Sequence, residues 1–119
     1  QNSTDERFRE NFSTLLHDIL WEVKDSKKVL VVNIPDFSVT PRGAAFASGR
    51  DAARGVAKFN MIIAEEAQKR GIEVVDIYTV SQKMGSDPSL VARDGLHPSE
   101  KGQALFAAQI YPAVKALLK

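Results

Sequence analysis

The residues that could do chemistry lie in one short run, Asp94-Gly95-Leu96-His97-Pro98, followed by Ser99-Glu100-Lys101-Gly102. A tight turn across the three-residue spacing brings the carboxylate and the imidazole to one side, and Gly95 removes a steric restriction within it. In such a pair the Asp accepts the proton on one ring nitrogen and fixes the tautomer. The other nitrogen is then free to take a proton from a nucleophile. Pro98 fixes φ where a helix begins, and Ser99 is placed to cap its exposed N–H groups. The plainer alternative is a loop histidine beside a helix start, because Asp-x-x-His arises by chance in many chains. The context favours chemistry: a strand, a loop, this pair, then a terminal amphipathic helix.

A histidine base of this kind works on a nucleophile and needs donors for the developing oxyanion. Ser38, Ser48, Ser81, Ser86 and Ser89 all fall in connecting segments. None sits in a G-x-S-x-G elbow; Phe46-Ala47-Ser48-Gly49 lacks the first glycine and follows no strand directly. None of them is expected to be the nucleophile, so the 119 residues alone are expected to be inactive. His17, between Leu16 and Asp18 on a helix, reads as a surface histidine with no second ligand at metal-binding spacing. Asp94 and His97 are too few to hold a metal, so no metal site is expected. Gly43 to Gly49 lacks the spacing of a dinucleotide or phosphate loop, and no cofactor is expected.

The composition belongs to one small globular domain. The chain has 119 residues, 44% hydrophobic and 26% charged, with a net charge of +1, enough to build a core. Acidic and basic residues interleave, with no basic stripe or aromatic-interleaved patch, so no nucleic-acid partner is expected. The absence of cysteine excludes a disulfide framework and any thiolate metal site. No run approaches the ~18–20 apolar residues of a membrane span. Gln1 to Glu6 are polar and lack a starting methionine, resembling neither a signal peptide nor a native N-terminus. The chain is therefore expected to begin inside a longer protein.

The elements that must position the pair follow from periodicity. Phe8, Phe12, Leu15, Leu16, Ile19, Leu20 and Val23 recur at helical steps, giving a helix over 5–24 with Ser3 or Thr4 as its cap. Trp21 is expected to cover the edge of the core. Val29 to Ile34 is an unbroken, largely β-branched run ended by Pro35, as in a strand buried on both faces of a parallel sheet. Residues 36–49 form a long connection of the kind that carries function. Its apolar members Phe37, Val39 and Phe46 could line a substrate pocket, although packing the loop down would use them equally well. A helix over 50–70 carries Ala52, Val56, Phe59, Ile63 and Ala67, with Gly71 as its stop. Ile72 to Ile77 reads as the next strand, with Glu73 and Asp76 suiting an edge position or the strand's C-terminal end. Residues 78–93 form a second loop. The last helix covers 100–118, with Leu105, Phe106, Ala108, Ile110, Val114 and Leu117 inward and Pro112 as a kink. This order gives one right-handed βαβ unit. Both long loops then sit at strand C-termini, the binding edge of such sheets. Two strands cannot bury themselves in this way, so further strands are expected outside the chain.

The run from Asp94 to Gly102 resembles the last signature block of the SGNH hydrolases, the GDSL esterase/lipase family, in which D-x-x-H-P is followed by a polar residue and a glycine near a helix start. The resemblance implies that His97 is the general base and Asp94 its partner. It also implies a flavodoxin-like three-layer α/β/α sandwich with a parallel sheet, of which residues 1–119 would be the C-terminal portion of a single domain. The family draws its serine from a G-D-S block and its oxyanion donors from two middle blocks, the second being G-x-N-D. None of these stands in this sequence, and Gln1-Asn2-Ser3-Thr4-Asp5 does not match the last of them. The nucleophile and oxyanion donors would lie in a missing N-terminal half, which becomes the expected partner beside a small carboxylic ester. The alternative is a non-catalytic, flavodoxin-like α/β domain that binds a ligand at the strand ends.

Overall fold

A computed structural model of the chain describes residues 4–45 and 49–119. Helix α1 (Thr4–Val23) opens with Asp5 and Glu6 in its first turn, where carboxylates complement the helix dipole. It stops at Lys24, whose left-handed φ of 68° costs a non-glycine residue about 1–2 kcal/mol. Two local contacts offset that strain. Lys24 Nζ donates to the Trp21 carbonyl at 2.8 Å and sits 4.9 Å above the Trp21 ring. Trp21 is therefore not an edge of the core, as its size suggested. It is 69% exposed and serves the helix end.

A short turn capped by Asp25, which accepts from Lys27 N at 3.0 Å, leads into strand β1 (Leu30–Val32). Beyond β1 the expected loop is more ordered than its sequence implied. It holds a 3-10 turn at Phe37–Val39 and a one-turn helix α2 (Pro41–Ala45). Helix α3 (Gly49–Lys69) then crosses to strand β2 (Glu73–Val75). Gly71, at φ +68°, turns the chain between them. The strands pair in parallel, Leu30 opposite Glu73, Val31 opposite Val74 and Val32 opposite Val75. Both are shorter than the apolar runs suggested, and Val32 is exposed rather than buried.

Asparagine side chains extend what three residues of ladder begin. Asn33 Oδ1 accepts from Ile77 N at 2.8 Å and Tyr78 N at 3.1 Å. Asn60, on α3, accepts from Ile34 N at 2.9 Å and donates to Ile34 O at 2.8 Å, as a neighbouring strand would. After β2 the chain forms a one-turn helix α4 (Tyr78–Ser81) and 3-10 turns at Gln82–Gly85 and Pro88–Leu90. It ends in helix α5 (Glu100–Leu117), which continues through Pro112. Among the described residues no helix is long and apolar enough to cross a membrane.

The core joins Leu16 of α1, Ala67 of α3 and the strand-entry residues Val29 and Ile72. Phe12, Ile19, Leu20, Val31 and Val74 pack against them. Helix α5 touches both strands, yet its only buried residue is Gly102. Val114 and Ala108, expected inward, are exposed. The described residues form a plate of 43 × 41 × 18 Å with a radius of gyration of 15.6 Å, against roughly 13–14 Å for a compact domain of this length. A plate this thin leaves apolar side chains such as Leu15, Val23 and Tyr111 largely uncovered.

One buried charge binds α1 to α3. Glu66 is 4% exposed; its Oε2 accepts from Arg9 Nη1 at 2.5 Å and Lys69 Nζ at 2.9 Å, and its Oε1 from Ser13 Oγ at 2.9 Å and Arg70 Nη1 at 3.0 Å. The Lys69 bond, helped by those from Arg70, Ser13 and Arg9, outweighs burial and holds the carboxyl down at about 2. Its stabilising contribution is thus complete above the ordinary 4.5 and is lost as the pH falls through about 2. Glu66→Ala is expected to cost about 2–3 kcal/mol at neutral pH, less than a fully buried pair because Arg9 and Lys69 can rehydrate. Chemical denaturation at pH 7 and pH 2 checks this, and the gap between parent and variant should narrow in acid.

Candidate active site

The loop between β2 and α5 is built to present one turn. Asp87 accepts from Ser89 N at 3.0 Å and Ser89 Oγ at 2.6 Å, capping the turn Pro88–Leu90. Val91 and Pro98 then form an antiparallel bridge, closed by Ala92 N donating to His97 O at 2.8 Å. The residues between them reverse direction at Gly95, whose φ is +74°. Gly95 N donates to Ala92 O at 3.0 Å, and Gly95 O accepts from Arg42 N at 2.9 Å, which docks the turn on α2.

Asp94 supplies both backbone and side-chain order. Its Oδ1 accepts from Leu96 N at 2.9 Å and His97 N at 3.0 Å, while its Oδ2 meets His97 Nδ1 in a short hydrogen bond. The His97 ring bond, then the backbone N–H groups of His97 and Leu96, hold the Asp94 carboxyl well below the usual carboxylate range. An ionised carboxylate can only accept, so Nδ1 carries the proton. In the neutral imidazole this leaves Nε2 with its lone pair. Nε2 has no hydrogen-bond partner among the described residues, and the His97 side chain is 71% exposed. The pair thus forms an oriented, outward-facing base. No serine hydroxyl among the described residues bonds to it, and none of them form a cluster of three or more His, Cys, Asp or Glu that could hold a metal.

The start of α5 locks the position of this base along the chain. Ser99 N donates to Leu90 O at 2.9 Å, Ser99 Oγ donates to Ser89 O at 2.6 Å, and Ser99 Oγ accepts from Gly102 N at 3.2 Å. A Cβ at Gly102 would run into the Leu90 carbonyl, so the glycine lets the helix press on the loop. The serine cap and the late glycine serve one purpose, fixing Pro98 and with it the ring of His97.

The other expected site residues divide. Phe37 lines an apolar hollow of about 400 Å³ with Pro35, Leu96, His97 and Pro98. Val39 faces a different hollow of about 350 Å³, bounded by Pro41, Met84, Val91 and Gly95 among others, in which His97 takes no part. Phe46 lies outside the described residues. Sequence reasoning missed Asp36 and Gln82 and weighed Ser81 only as a nucleophile, whereas the three join the two loops. Asp36 is 4% exposed; its N–H donates to Ser81 Oγ at 2.8 Å and its Oδ2 accepts from Gln82 Nε2 at 2.7 Å. The available signal was Asp36-Phe37-Ser38, the spacing at which an Asp side chain caps its own turn. The structure forms that cap through Ser38 N at 3.0 Å and a short bond from Ser38 Oγ.

With this geometry in view, a family model described as GDSL-like Lipase/Acylhydrolase matches residues 1–110. No curated protein and no solved structure matches the chain.

Gly95 is the position where the turn leaves least freedom. Gly95→Ala is expected to destabilise the chain by about 1–2 kcal/mol, the cost of a Cβ at left-handed φ, because that Cβ would meet Arg42 and Pro41 only at ordinary contact distance. Denaturation measures the loss. Nuclear magnetic resonance should show it concentrated in the Leu96 and His97 amides, whose exchange with solvent quickens.

Proposed function

The chain belongs to the GDSL-like lipase/acylhydrolase family, and we propose on that premise that it supplies the base half of a serine esterase. The observation that carries this reading is the Asp94–His97 pair, with Nδ1 held by the carboxylate and Nε2 open to solvent. In this reading residues 1–119 are the C-terminal portion of one domain. Residues upstream of this sequence provide the serine and the oxyanion donors. They also add strands to β1, completing a three-layer α/β/α sandwich. The all-apolar Leu30–Val32 suits an interior strand, whereas exposed Glu73 suits β2 as the edge.

The cycle follows from the base. Nε2 of His97 takes the proton as the serine oxygen bonds to the ester carbonyl carbon. The tetrahedral intermediate collapses, the bond to the leaving alcohol breaks, and Nε2 returns the proton to that oxygen. Water then attacks the acyl-serine, giving its proton to Nε2, and the carboxylic acid departs as the serine is restored. Throughout, Asp94 holds the ring in one tautomer and stabilises its charged form without taking the proton. Carboxylic esters are the substrate class of this proposal.

A fluorophosphonate probe tests it on the intact protein that contains these residues. One adduct is expected, on a serine upstream of this sequence. His97→Ala should abolish labelling and lower ester hydrolysis by about 10³-fold or more, with Asp94→Asn costing about 10³–10⁴-fold. His97 is an exposed residue, so an unchanged circular dichroism spectrum should accompany the loss. An unlabelled, inactive intact protein would instead favour a ligand-binding α/β domain.

A further inference from the structure

We propose that the hollow beside His97 seats the apolar chain of the ester, and that Phe37 is its specificity-determining wall; this rests on the esterase reading above. The hollow measures about 400 Å³ and is lined by Pro35, Phe37, Leu96, His97 and Pro98, within the usual ~300–1,000 Å³ of small-molecule sites. Apart from the imidazole the lining carries no hydrogen-bonding side chain. A sugar or a phosphorylated group would lose its water there without replacement bonds, whereas a hydrocarbon chain gains from leaving water. His97 forms part of the wall, so a chain lying in the hollow lies directly beside the base.

Phe37 is 37% exposed, yet its backbone is held on every side. Phe37 N donates to Pro35 O at 3.1 Å, and Phe37 O accepts from Thr40 N at 3.1 Å and Thr40 Oγ1 at 2.7 Å. Directly before it, the buried Asp36 is tied to Ser81 and Gln82 at 2.8 Å and 2.7 Å. A Cβ on Gly43 would collide with the Phe37 carbonyl, so α2 also presses on this turn. An aromatic ring carried on so constrained a turn, half in water beside the base, is a pre-organised surface for a ligand. The hollow at Val39 is also apolar, but His97 takes no part in its lining.

The experiment compares kcat/KM on the intact protein across two series. In one the acyl group lengthens from acetyl through butyryl to hexanoyl on p-nitrophenol. In the other acetate is held fixed and the alcohol lengthens from ethanol through butanol to hexanol. The parent should prefer the longer member in one series, which identifies the acyl or the alcohol side as the occupant. Phe37→Ala should reduce that long-to-short ratio by roughly tenfold, and Phe37→Leu should recover part of it. Hydrolysis with the same ratio in parent and Phe37→Ala would overturn the subsite and leave the esterase reading standing. An intact parent that hydrolyses no member of either series would overturn both.

Discussion

Parallel pairing of two very short strands is the constraint on which the rest of this structure depends. Parallel neighbours end at the same edge of their sheet, so the segments that follow them must emerge side by side. That geometry brings Pro35 and Phe37, after β1, against Leu96, His97 and Pro98, after β2. Three residue pairs make a weak ladder, and side chains extend it. Asn33 bonds the backbone beyond β2, and Asn60 holds both polar groups of Ile34 from the helix that connects the strands. Toward the C-terminal end of α3, Glu66 gathers Arg9 of α1 and the two cations that follow it, so the crossover helix is held at its middle and near its end.

Asp94 links local folding to chemistry through one carboxylate. One oxygen satisfies two backbone N–H groups of the turn, and the other orients the imidazole. The ring therefore cannot be set correctly unless the backbone of residues 94–97 is also in place. The same turn is bounded by the Val91–Pro98 bridge and clamped from outside by Arg42 and Ser99. Orientation of the base is thus a property of the whole loop, which explains how so exposed a histidine can be held in one arrangement.

Much of this was legible in the sequence where the pattern was periodic or chemically distinctive. Helices over 5–24, 50–70 and 100–118 lie within a residue or so of those observed, because a 3.6-residue apolar repeat over five turns outweighs local preference. The Asp-x-x-His-Pro run gave the turn, the cap at Ser99 and the hydrogen bond. The connections were not legible. Phe37–Val39, Pro41–Ala45 and Tyr78–Ser81 are too short to show a period; Thr40 and Ser81 bond back to the carbonyls of Phe37 and Tyr78 within their own turns, and Asp36 N–H bonds across to Ser81. Glu66 was hidden because a charge on a helix reads as a solvent face until three cations and a serine are seen around it. Strand ends and the inward face of α5 were overstated for a different reason. Apolar character marks a residue that can be buried, and burial needs something on the other side.

That last point bears on function. On the proposed reading, Val32, Val114 and Tyr111 lie uncovered because their neighbours belong to upstream residues, and a sheet extended past β1 would supply them. The same extension adds strand ends to the edge that already carries Pro35 and His97. On the same reading, a serine at the end of such a strand would meet Nε2, the ring nitrogen that Asp94 leaves unpartnered. The exposure of His97 and the thinness of the plate then have one cause. On that reading the base faces outward because the strands that would roof it come from the upstream residues.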